Sequence, residues 1–75
     1  PAQDYVNVYM NDVEFYDRKY YLNLYDQQGR IVQRHVVQGR VTQVDLSSLP
    51  AGMYYNRIVD QNNKFMQSGR IVVNR

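Results

Sequence analysis

Apolar and polar residues alternate along most of this chain, the period expected of half-buried strands. Over residues 5–10, Val6, Val8 and Met10 take one side and Tyr5, Asn7 and Tyr9 the other. Residues 19–25 repeat the pattern, with Tyr20, Leu22 and Leu24 opposite Tyr21, Asn23 and Tyr25. Residues 40–46 set Thr42, Val44 and Leu46 on one side. Residues 53–59 oppose Tyr54, Asn56 and Ile58 to Met53, Tyr55, Arg57 and Val59. With Tyr54 and Ile58 pointing inward, Asn56 is carried in beside them and needs a partner or an edge position. Residues 30–37 alternate less cleanly, with apolar pairs at both ends, as in a strand that bends or bulges. Residues 13–16 add a short strand and 65–74 the last one, in which Gly69 marks a bulge or a close approach of backbone.

The breaks between these runs carry turn chemistry. Asp26-Gln27-Gln28-Gly29 offers Asp at the first position of a type I turn and Gly for the left-handed residue of a closing bulge. Gln38-Gly39 reads as a second hairpin turn, and residues 60–64 as a third, with Asn63 as its left-handed residue. Residues 45–54, DLSSLPAGMY, are the most heavily punctuated stretch. Ser47 and Ser48 can bond local backbone and open a turn. Pro50 cannot pass through a central strand, and Gly52 admits φ > 0. Strand, corner and strand in that order describe an arch between two packed sheets. Leu49 would pin it by burial and the Tyr54 hydroxyl by bonding backbone upstream, as in a tyrosine corner. The sum is all-β: an immunoglobulin-like, seven-strand antiparallel sandwich, with a five-strand closed barrel as the alternative.

At 75 residues the chain is one small domain, with little burial in reserve. It has no Cys, so neither disulfides nor thiolate chemistry contribute. Eight Tyr against two Phe and no Trp suit strands whose rings pack while their hydroxyls stay wet. The formal charge is only +2, and the seven Arg, at 18, 30, 34, 40, 57, 70 and 75, are dispersed. Such spacing describes a solvated strand face rather than a phosphate track. No apolar run approaches the roughly 20 residues of a membrane helix. The sequence opens on Pro1 without a signal peptide, as expected of a fragment from the end of a longer cargo protein.

Catalytic chemistry is not indicated. His35 has no second His or Cys with which to share a metal and reads as a surface strand residue. The glycines at 29, 39, 52 and 69 stand apart and make no phosphate loop. The aspartates fall at turns and strand ends, with no Asp-x-Asp spacing for calcium. The expectation is a protein that is not an enzyme and holds no metal or cofactor.

Three segments taken together carry a resemblance: residues 24–32 (LYDQQGRIV), 44–54 (VDLSSLPAGMY) and 69–75 (GRIVVNR). In register, and preceded by Pro1 to Val8, they resemble the type A C-terminal sorting domain of cargo exported by the type IX secretion system of Bacteroidetes. The likeness spans essentially the whole chain, which starts on what would be the last proline of the family's Pro-Asn-Pro opening. It implies an immunoglobulin-like sandwich at the end of a larger protein. Such cargo passes through the periplasm and is handed by shuttle proteins to an outer-membrane translocon. A sortase-like peptidase then commonly removes the domain, leaving the cargo attached at the cell surface or secreted. Asp26, Gly29 and Arg30 match the family's Asp-x-x-Gly-Lys/Arg turn, and Leu49, Gly52 and Tyr54 its Leu-x-x-Gly-x-Tyr corner. The recognition determinants it implies are Gly69, Arg70, Ile71, Val72, Val73 and Arg75.

The residues themselves agree with that role. A last strand of Ile71, Val72 and Val73 between Arg70 and Arg75 offers main-chain hydrogen bonds and a positive tip to a partner that adds a strand at the sheet edge. Two other readings predict different surfaces. A single-stranded nucleic-acid barrel would need a basic stacking groove. A carbohydrate-binding module would gather Tyr5, Tyr9, Tyr21, Tyr25 and Tyr55 into one flat patch.

Overall fold

The computed structural model describes residues 4–11 and 18–75. Within them lie six strands and no helix: β1 (Tyr5–Tyr9), β2 (Tyr20–Tyr25), β3 (Ile31–Val37), β4 (Val41–Asp45), β5 (Gly52–Asp60) and β6 (Phe65–Val73). They form two antiparallel sheets, one ordered β3-β2-β5-β6 and one pairing β1 with β4. The short strand expected over residues 13–16 lies outside the described residues. The closed-barrel alternative does not hold among the described residues, because the four strands of the larger sheet end on two open edges, β3 and β6.

The alternation read from sequence sets the layers. Tyr20, Leu22 and Leu24 of β2, Tyr54 and Ile58 of β5, and Ile71 and Val73 of β6 are buried on one face. Opposite them the smaller sheet contributes Val44, with Met10 just beyond β1 and Leu49 from the arch, while Val6, Val8 and Leu46 pack at the margin. Leu22, Leu24, Val44 and Ile58 have no exposed surface. At roughly 2–5 kcal/mol for truncating a large aliphatic side chain, each represents much of what so small a domain has in reserve.

One connection departs from expectation. Gln38-Gly39 does not close a hairpin, because β3 and β4 lie in different sheets. β4 pairs instead with β1, in the register Val6 to Val44 and Val8 to Thr42. The Met10 N–H to Arg40 C=O bond (2.8 Å) and the Leu46 N–H to Asp4 C=O bond (2.7 Å) extend that ladder at its two ends. The physical reason is coverage. Val37 ends β3 pointing into the core, and only a crossing lets Thr42 and Val44 cover the same core from the other side. Local alternation cannot distinguish this crossing from a hairpin.

The two real hairpins are near copies. In the first, the Asp26 Oδ1 accepts the N–H groups of Gln28 (2.9 Å) and Arg30 (3.0 Å), and Gly29 takes φ +82°. In the second, the Asp60 Oδ1 accepts those of Asn62 (2.8 Å) and Lys64 (2.9 Å), and Asn63 takes φ +63°. Each hairpin also contains a bulge. Val32 is the extra residue between the pairs Leu24–Gln33 and Tyr25–Ile31, and Met66 the extra residue between Ile58–Gln67 and Val59–Phe65. The bulge of the last strand is therefore at Met66 and not at Gly69. Gly69 is instead the close approach: it pairs with Asn56, and a Cβ there would stand 3.1 Å from the Asn56 Nδ2.

Candidate functional site

The motif residues singled out in the sequence, 49 positions apart at their extremes, gather at one end of the sandwich. The arch returns the chain from the small sheet to the large one, as expected. Its opening turn is held by Asp45, whose Oδ1 accepts the Ser47 N–H at 2.9 Å, so the carboxylate rather than the serine hydroxyls organises the local backbone. Leu49 N–H bonds back to Leu46 C=O (3.0 Å) and the Leu49 side chain is buried. Gly52 begins β5 at φ +153°, a conformation side chains disfavour. The Tyr54 ring is buried and its hydroxyl donates to the Pro50 C=O at 2.6 Å, which completes the corner.

Against this corner lies the Asp26–Arg30 turn. Arg30 Nε donates to Asp26 Oδ2 at 2.8 Å, fixing the turn's side chains. The backbone N–H of Arg30, its guanidinium and the Gln28 N–H together hold the Asp26 carboxyl below its ordinary value. Asp26, Arg30, Leu49, Gly52 and Tyr54 all line one cleft of about 280 Å³. Gly29 contributes the turn geometry without facing the cleft.

The last strand runs into the same end. Gly52 pairs with Val73 and Tyr54 with Ile71, so the corner and the carboxyl-terminal strand are hydrogen-bonded neighbours. β6 is an edge strand, with no strand on its other side among the described residues. Ile71 and Val73 point into the core, while Arg70 and Val72 face outward, Val72 being 53% exposed. Gly69 is half-buried against Asn56.

Arg75 differs from the free positive tip expected of it. Its guanidinium is folded back onto the arch, with Nε donating to Leu49 C=O (3.0 Å) and Nη2 to Leu46 C=O (2.6 Å). Its Nη1 faces both Asp4 oxygens at 3.4 Å. Asp4 lies across the β1–β4 ladder end, so one side chain ties three segments together. Nothing in the local sequence around Arg75 announces these partners, which are 26 to 71 positions away.

A family model described as "Secretion system C-terminal sorting domain" matches residues 1–74. The chain belongs to this family. It is a C-terminal sorting signal for type IX secretion, the family whose turn, corner and terminal strand the sequence resembles. No curated protein and no solved structure matches it. Membership implies that the sorting domain engages the type IX machinery and that its cargo is secreted or attached at the cell surface.

The other surface readings find no support in the sorting domain. Tyr5 and Tyr9 lie on β1, in the small sheet, whereas Tyr21, Tyr25 and Tyr55 lie on the large one, so the five rings do not make one sugar platform. His35 is half-buried on the core-facing side of β3 rather than on its outer surface, and its Nε2 bonds the Gln33 side chain at 2.8 Å. That Gln33 in turn donates to Asp45 C=O (2.8 Å), a bridge between the two layers. No helix among the described residues is long and apolar enough to cross a membrane.

Proposed function

We propose that the type IX machinery reads the sorting domain through β6, by pairing with its free main-chain edge and contacting the outward side chains of Arg70 and Val72. The observation that carries this reading is the position of β6 at the sheet edge, where its outer amides and carbonyls form a row that another strand can complete. Ile71 and Val73 hold the strand on the core, Gly69 lets it lie close over Asn56, and Arg75 positions its end. The six residues 69–73 and 75 thus divide into two that a partner would touch and four that present them.

The chain is a single, non-catalytic domain over residues 1–75, built as an immunoglobulin-like sandwich. Cargo carrying it passes through the periplasm and meets shuttle proteins and the outer-membrane translocon. A sortase-like peptidase then removes the domain and leaves the cargo attached at the cell surface.

Deleting residues 71–75 is a poor test, since it strips Ile71 and Val73 from the core. At about 2–5 kcal/mol for each large aliphatic lost, that deletion unfolds the domain. The clean test places R70E/V72E, which changes only outward side chains, behind a secreted reporter in a bacterium with a type IX system. Export should fall severalfold while the isolated domain keeps its melting temperature within a few degrees. Undiminished export by R70E/V72E would remove these two residues from the recognition surface.

A further inference from the structure

The outer face of the large sheet has a chemical order that sorting through the β6 edge does not require. Across the strands, Arg34, Asn23, Arg57 and Ser68 fall in one register row. On one side runs the row Val36, Tyr21, Val59 and Phe65. A polar rung is therefore bordered by apolar and aromatic residues, on a face whose exposed members include Val36 (58%) and Phe65 (49%). Arg34 stacks on Tyr21 at 4.3 Å from the ring centroid and Arg57 on Phe65 at 5.1 Å. Two open depressions of about 390 and 630 Å³ meet at Arg57, the first against Asn23 and Arg34, the second against Ser68 and Arg70.

Three features say what this face fits. The first is charge. Arg34 and Arg57 have no carboxylate partner among the described residues, where the only ion pairs are Arg30–Asp26 and Arg75–Asp4. The described aspartates lie elsewhere, at the turns or beside Arg75. The second is Asn23. It is 5% exposed, and its Oδ1 is buried with no hydrogen-bond partner, between the two arginines at the first depression. An acceptor left in that state costs free energy that a donor from a partner would recover. The third is stacking. Arg34 and Arg57 already cover a face of Tyr21 and of Phe65, so these rings are not open platforms for sugars.

We propose that this face, which adjoins the β6 edge at Arg70, is a second docking surface, and that its occupant is an acidic segment of a partner protein. Carboxylates would meet Arg34 and Arg57 as bidentate partners and draw the two guanidiniums aside, so that a peptide N–H reaches the Asn23 Oδ1 between them. Apolar side chains of the segment would cover Val36 and Phe65. A second copy of the chain is a poor occupant, because packing this face on itself sets arginine against arginine. An acidic oligosaccharide supplies the charge but has no use for the aliphatic border.

The test uses the 75-residue chain and a fluorescein-labelled peptide alternating Glu and Leu, with its Gln-for-Glu counterpart and oligogalacturonate as comparisons. Fluorescence anisotropy should show saturable binding of the Glu peptide that weakens with added salt. R34Q/R57Q should weaken it by about tenfold or more. R40Q, at the sheet crossing and off this face, should leave it unchanged. Amide shift mapping on the unsubstituted chain supplies a readout independent of any variant, with the largest changes expected at Asn23, Arg34, Arg57 and Ser68. Absence of saturable binding, equal binding of both peptides, indifference to R34Q/R57Q in a folded variant, or shifts confined to other surfaces would each overturn the proposal. Tighter binding of oligogalacturonate than of the Glu peptide would overturn it in favour of an acidic sugar.

Discussion

Replacing Arg75 by Ala removes the one side chain that joins the carboxyl end, the arch and the start of β1. Two of its bonds are short and go to main-chain carbonyls, at 3.0 Å and 2.6 Å. Hydrogen bonds from a charged donor contribute roughly 1.5–3 kcal/mol each when well shielded. The Arg75 side chain is 36% exposed, so water can replace part of each bond in the variant. The contact with Asp4, at 3.4 Å between side chains 36% and 47% exposed, adds at most about 1 kcal/mol. A total of about 1–3 kcal/mol is reasonable, and for a domain of this size 1 kcal/mol moves the melting temperature by about 4–8 °C. R75A should therefore melt at least about 5 °C below the parent chain when followed by circular dichroism. Most of that loss should persist in high salt, because the carbonyl bonds are not ion pairs. R75K should recover little, since an ammonium group cannot span both carbonyls in the geometry of the planar fork. An R75A variant that melts with the parent would show that the folded-back guanidinium contributes nothing and that Arg75 acts only on a partner.

Other expectations follow from single sites. Tyr54→Phe leaves the ring in place and removes the 2.6 Å bond to Pro50, for an expected loss of about 1 kcal/mol in denaturant titration. Gly69→Ala should cost about 1–3 kcal/mol by pressing on Asn56, and Asn56→Ala in that background should restore at least about 1 kcal/mol, a coupling that a double-mutant cycle reads directly. The carboxyls of Asp26, Asp45 and Asp60 are all held below the ordinary 3.8, chiefly by the backbone N–H groups of Arg30, Ser47 and Lys64. Their folded values are lower than their unfolded ones. The stability they contribute is thus complete above the ordinary value and lost as pH falls through the folded values. Thermal melts should show that acid-side fall, and D26N/D60N should flatten it.

Features set by neighbouring residues could be read along the chain, and those set by distant ones could not. The alternation of Tyr20, Leu22 and Leu24, the left-handed Asn63 and the inward Asn56 all follow from local spacing, and the structure has them. So does the Tyr54 corner, whose donor and acceptor are four positions apart. The β1–β4 pairing joins residues up to 40 apart, from Tyr5 to Asp45, and no local cue separates it from a β3–β4 hairpin. Gly69 reads equally as a bulge or as a close approach of backbone; it is the second, its lack of a Cβ making room for Asn56, and the bulge lies at Met66. Arg75 reads as a free charge along the chain because its partners lie in other segments. Asn23 reads as an ordinary outward Asn on a strand until Arg34 and Arg57 are placed on either side of it.

Amide hydrogen exchange of the sorting domain, alone and with purified type IX translocon, tests the central claim most directly. In an antiparallel edge strand alternate N–H groups face away from the sheet, so in the free domain about every second amide of β6 should exchange fast. Added translocon should slow those outward amides within residues 69–73 while leaving the free edge of β3 unchanged. Protection elsewhere, with the outward β6 amides still exchanging as in the free domain, would contradict recognition through that edge.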